Sequence, residues 1–81
     1  MTVSEYCETK QRSKTTLELI EKLRQFSTDD DYILGVLADS EFDEDRQLII
    51  DFIDKGQNVN YESVILFSLE VGQERDRLLN R

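Results

Sequence analysis

The sequence has no histidine, no proline and no tryptophan, one cysteine, and three glycines that stand far apart. Without histidine there is no Ser-His or Cys-His nucleophile pair and no histidine-containing metal site. A lone Cys7 cannot build a structural zinc site or an internal disulfide framework, and reads as a small half-buried side chain. Gly35, Gly56 and Gly72 are isolated, so no phosphate-cradling loop is present. No run of about eighteen apolar residues occurs, so no membrane-spanning helix is expected. The start, Met1-Thr-Val-Ser-Glu-Tyr-Cys7, shows neither a basic nor an apolar leader segment, which points to a reducing, cytoplasmic setting.

Positive charge is also scarce. Ten Lys and Arg stand against eighteen Asp and Glu, for a net charge of -8. That balance argues against direct nucleic-acid binding, which needs cations to displace counterions from phosphate. It argues equally against docking on anionic membranes. Eighty-one residues, 38% of them hydrophobic, with a mean hydropathy of -0.54, suit one small domain with a modest core. No composition break suggests a linker or a second domain, so residues 1–81 are read as a single helical domain.

What is present reads as helix throughout. Thr2-Val-Ser-Glu5 has capping-box spacing and opens a short helix over about 3–10, with Val3, Tyr6 and Cys7 on one face. Lys10 to Lys14 is a polar connection in which Ser13 can cap the next helix. From Lys14 to Phe26 the residues Thr16, Leu19, Ile20, Leu23 and Phe26 recur at helical spacing. Ser27 or Thr28 then caps a helix carrying Tyr32, Ile33, Leu34, Val36 and Leu37. Gly35 lies inside it at a cost of about 1 kcal/mol relative to alanine, which suggests a close helix crossing. Asp45 to Lys55 forms a further helix with Leu48, Ile49, Phe52 and Ile53 inward and Gly56 as its stop.

Asn60 caps the segment Tyr61 to Val71, which is apolar nearly all round a helical wheel. Its length and β-branched content also fit a buried strand, but the caps and the helix formers beyond Gly72 favour helix. The expected fold is therefore all-α, a compact bundle of four to five short helices around a central apolar helix at about 61–71.

The negative charge is concentrated. Residues 27–54 hold ten acidic side chains against Arg46 alone, while the flanking thirds are close to neutral. Asp29, Asp30 and Asp31, and later Asp43, Glu44 and Asp45, lie where two helices begin and carboxylates favour the helix dipole, with Asp39 and Glu41 in the break before the second. The same residues are the candidate contact surface for a basic protein partner. Asp39-Ser-Glu41-Phe-Asp43-Glu-Asp45 imitates the opening of a calcium loop. However, Glu44 stands where glycine is needed and Ile50 where a closing glutamate should be.

Asp39-Ser40 in a small acidic helical chain resembles acyl and peptidyl carrier proteins. That resemblance implies a phosphopantetheine on Ser40 and an acidic docking helix after it. Glu41 replaces the apolar residue usual after the serine, and Leu37-Ala38 replaces the usual glycine. As a local reading, Ser40 is a helix cap.

Catalytic carboxylates need a dry cleft, for which so short a chain offers little room, so the chain is read as a non-enzyme with no cofactor or metal. The function expected is that of a small cytoplasmic interaction domain binding a basic protein, in bulk composition like inhibitors that mimic nucleic acid. The alternatives are a divergent carrier protein, or a self-associating module that forms a homodimer through Tyr61, Phe67, Leu78 and Leu79.

Overall fold

The computed structural model describes residues 2–9 and 13–80, and every element in it is helical: α1 (Val3–Thr9), α2 (Lys14–Leu23), α3 (Asp30–Asp39), α4 (Asp43–Lys55) and α5 (Tyr61–Leu79). The expected polar connection at Lys10 to Arg12 lies outside the described residues. Most helix starts follow from local chemistry. Thr2 and Glu5 close a reciprocal box, with Glu5 N–H donating to Thr2 Oγ1 and Thr2 N–H to Glu5 Oε1, both at 3.2 Å. Ser13 Oγ accepts from Thr16 N–H at 3.0 Å. Asn60 and Ser63 form a second reciprocal box, each side chain accepting from the other's backbone at 2.9 Å. Each box satisfies amide donors that a helix start leaves without partners.

Two starts differ from expectation. Asp29, not Ser27 or Thr28, caps α3, its Oδ1 accepting from Asp31 N–H. Helix α4 opens at Asp43 behind Phe42, which offers no side-chain cap; three acidic residues in its first turn supply the favourable charge instead.

The two later glycines have reasons inside the fold. A Cβ on Gly56 would sit 2.5 Å from the Phe52 carbonyl oxygen, and one on Gly72 would sit 3.0 Å from the Asp39 carbonyl oxygen. Gly72 therefore lets α5 cross close over the end of α3. Gly35 makes no such crossing: a Cβ there would meet nothing within 4 Å.

The core lies among α2, α3 and α4, where Leu19, Leu23, Ile33, Leu37 and Ile49 have no exposure. The helix α5 is not the central element. Its inward stripe is Val64, Ser68 and Val71, while Leu66 and Leu69 are 58% and 44% exposed. Two stacked ring pairs fix it to the body. Tyr61 lies 4.1 Å from Tyr32 of α3, and Phe67 lies 4.4 Å from Phe52 of α4. On α4 the expected inward Leu48 is 51% exposed, and Ile50 is buried in its place. Arg46 explains that rotation. At 1% exposure it occupies a core position, so the buried face of α4 runs through Arg46, Ile49 and Ile50, with Ile53 half-buried beyond them.

Candidate functional site

The structure separates the acidic residues by what each one touches. Asp30 is committed within the fold. Its Oδ2 accepts from Val3 N–H at 3.1 Å and its Oδ1 pairs with Arg24 at 2.8 Å. Those two interactions, the backbone bond first, hold its carboxyl below the ordinary 3.8. Asp45, expected on the contact surface, is instead 4% exposed. Both its oxygens accept from Arg75 of α5, at 2.9 and 3.0 Å. A two-point carboxylate–guanidinium pair fixes both position and orientation, so Asp45 ties α4 to α5 and is withdrawn from any partner. The Arg75 guanidinium also lies 4.6 Å from the centre of the Phe42 ring.

Asp29, Asp31, Glu41, Asp43 and Glu44 are exposed. Asp43 accepts from Ser13 Oγ at 3.0 Å, and Glu44 stands 3.7 Å from Arg75 with its side chain 89% exposed. Asp39 is half-buried at the end of α3, where burial pushes its carboxyl above 3.8; the nearby Ser68 hydroxyl opposes this and the Asp76 carboxylate adds to it. The two clusters sit at opposite ends of α3, ten residues or about 15 Å apart. Exposed charges at that distance are largely screened at physiological salt. Of the second cluster, Asp39 shares a groove with Asp29 and Asp31, whereas residues 41–45 lie outside it.

Ser40 is fully buried at the C-terminal end of α3, and its hydroxyl donates to the Val36 carbonyl at 2.7 Å. A serine that anchors a prosthetic group must present its oxygen to solvent at a helix start, and Ser40 does neither. Among the described residues no three Cys, Asp or Glu side chains are placed to hold a metal ion.

Sequence reasoning missed Arg46 most completely. Its guanidinium donates to the Thr16 hydroxyl, the Tyr6 hydroxyl at 2.7 Å, and the carbonyls of Leu37 and Ser40. Those carbonyls belong to the C-terminal end of α3, where the helix dipole favours a cation. The signal was available in the spacing of 46 with 49, 50 and 53, but a charged residue is normally assigned to the solvent side.

Surface grooves border α5, one of about 230 Å3 over Asp39, Phe42, Gly72 and Arg75, and two others on its flanks. The larger of these two, about 830 Å3, lies against α4 and includes Leu48, Phe67, Val71 and Leu78 together with Glu44, Glu70, Glu74, Arg75 and Arg77. Its two arginines are already engaged, Arg75 by Asp45 and Arg77 by Glu74. The smaller, about 320 Å3, lies between α3 and α5 and is lined by Asp29, Asp31, Tyr32, Gly35, Asp39, Tyr61, Ile65 and Ser68, among others. Burial pushes the Tyr32 hydroxyl up to about 12, and it donates to the Tyr61 carbonyl at 3.2 Å.

These features define a small all-α bundle with an acidic surface and open grooves on both flanks of its longest helix. No family model, curated protein or solved structure matches the chain. Among the described residues no helix is long and apolar enough to cross a membrane.

Proposed function

We propose that the chain is a protein-interaction domain that binds a basic protein partner through the exposed carboxylates of residues 27–54 and performs no chemistry of its own. The observation that carries this reading is the burial of Arg46. It is the only cation in that third of the chain, and it is turned into the core. The surface left behind presents Asp29, Asp31, Glu41, Asp43 and Glu44, with no base from the same segment among them. Like charges held this way oppose the compact state, and a cationic partner relieves that repulsion. An enzyme or factor whose own ligand is a nucleic acid has a surface of the required sign, and for such a partner the domain would act as an inhibitor.

The test is capture of partners from native cell extract at low and high salt, followed by binding measurements with Asp31→Lys, Glu41→Lys and Glu44→Lys combined. None of the three caps a helix through its side chain, so the circular dichroism spectrum should stay helical, at a stability cost of about 0.3–1 kcal/mol for each of the first-turn residues Asp31 and Glu44. Affinity should fall by about tenfold or more, mostly through the association rate. A captured partner that binds the reversed variant as tightly as the original overturns the reading.

Self-association is a second reading, favoured by a specific observation. Tyr61, Leu66, Leu69, Leu78 and Leu79 are all exposed on α5, whereas Phe67, expected among them, is half-buried against Phe52. Sedimentation at high salt, where the net charge of -8 is screened, separates it from the first: a dimer whose affinity rises with salt supports self-association, and a monomer at all concentrations removes it.

A further inference from the structure

Gly35 is a weak point that the fold does not require. It sits in the middle of α3 without positive φ, and the space its missing side chain leaves is open. Alanine would fit there and would strengthen the helix. A bare stretch of helix with no internal use lets something from outside approach the backbone closely.

The surroundings indicate what approaches. Asp31, Gly35 and Asp39 are spaced four residues apart, so they share one face of α3 and span about 12 Å along it. Among the described residues neither Asp31 nor Asp39 has a cationic partner. Tyr61, stacked on Tyr32 at the side of the groove, is 45% exposed and keeps aromatic surface open. No base lines this groove, whereas the larger groove on the other flank of α5 carries Arg75 and Arg77. The charge of the α3–α5 groove is thus of one sign.

We propose that this groove is the docking site for an arginine-bearing segment of the basic partner, which passes close over Gly35 and pairs its guanidinium groups with Asp31 and Asp39. Arginine fits better than lysine because a planar guanidinium both pairs with a carboxylate at two points and stacks on a ring such as Tyr61. The half-buried setting of Asp39 favours the pair, since less water competes for the carboxylate. This inference rests on the reading of the chain as an acidic interaction domain.

The test uses the whole chain and a peptide of alternating arginine and glycine, followed by nuclear magnetic resonance of the backbone amides. A peptide with lysine in place of arginine is the comparison. The arginine peptide should shift Asp31, Gly35, Asp39, Tyr61 and Ser68 selectively and bind more tightly than the lysine peptide. Gly35→Ala should raise the thermal midpoint yet weaken the arginine peptide by about tenfold, while Asp51→Asn on α4 leaves binding unchanged. Stability and binding moving in opposite directions is a result that a merely structural glycine would not give. Three results overturn the site: no binding, equal binding by the Gly35→Ala protein, or shifts centred on Leu48, Phe67 and Leu78. If captured partners still lose affinity on charge reversal but ignore Gly35→Ala, the groove fails while the interaction reading stands.

Discussion

A guanidinium inside an 81-residue chain needs hydrogen-bond partners, and each nitrogen of Arg46 finds at least one without a carboxylate among them. Its neighbour Asp45 is engaged elsewhere, by Arg75. Replacing Arg46 with alanine leaves a cavity and strands the Ser40 carbonyl, at about 1–3 kcal/mol when buried unpaired, while the Leu37 carbonyl keeps the Ser40 N–H as its donor. The expected total is about 3–5 kcal/mol, the range of severe core truncations, and a large share of a domain stability of about 5–15 kcal/mol. Arg46→Lys should cost nearly as much, because a single ammonium cannot reach four acceptors that lie in different directions. Urea denaturation followed by circular dichroism measures both. A loss below about 1 kcal/mol for either would mean the buried network contributes little beyond what solvent supplies.

At the scale of the helices, packing predicts which apolar residues matter. Leu23 of α2 has no exposure, and Leu23→Ala should destabilise by about 2–5 kcal/mol. Leu66 of α5 is 58% exposed, and Leu66→Ala should stay within about 0.5 kcal/mol. The same denaturation series decides it, and equal losses would place α5 back at the centre of the fold. The sequence made the helices legible wherever local chemistry sets them. The Ser13 and Asn60 caps, the α2 stripe of Thr16, Leu19 and Leu23, and the all-helical class are all observed. The rotation of α4 and the placement of α5 were not legible, because each depends on a partner distant in sequence. Arg46 turns inward only because Tyr6, Thr16 and the end of α3 supply acceptors. The helix α5 turns Leu66 and Leu69 outward because Ser68 and Gly72, small residues, let its other face approach α3. At the candidate site, five of the eight expected carboxylates are exposed, whereas Asp45 is lost to Arg75, a residue thirty positions away.

For the molecule as a whole, the carboxylates set how stability responds to acid. Asp30 is held below 3.8, so its contribution is fully present above that value and is lost as pH falls through its lowered folded pKa. Asp39 is raised above 3.8 by burial, so the sign is opposite. The folded chain holds that proton more tightly, and stability rises as pH falls through the raised folded pKa, the gain being complete below 3.8. Thermal midpoints should therefore climb on moving from neutral to mildly acidic pH and fall again in strong acid. Asp39→Asn should flatten the climb, and Asp30→Asn should remove part of the acid-side fall. A midpoint that declines steadily from pH 7 downward, in the original and in the Asp39→Asn protein alike, would contradict this assignment.

The position of Arg46 also bears on how the molecule comes apart. Its hydrogen bonds reach α1, α2 and the end of α3 from a residue on α4. Any partial opening that lifts one of those helices away leaves a charge in the interior with donors unmet, an intermediate of high energy. The four helices are therefore expected to open as one cooperative unit, which amide hydrogen exchange would report as a shared opening free energy. The far half of α5, joined to the body through Arg75 and bordered by solvent at Leu78 and Leu79, is outside that unit and can fray alone.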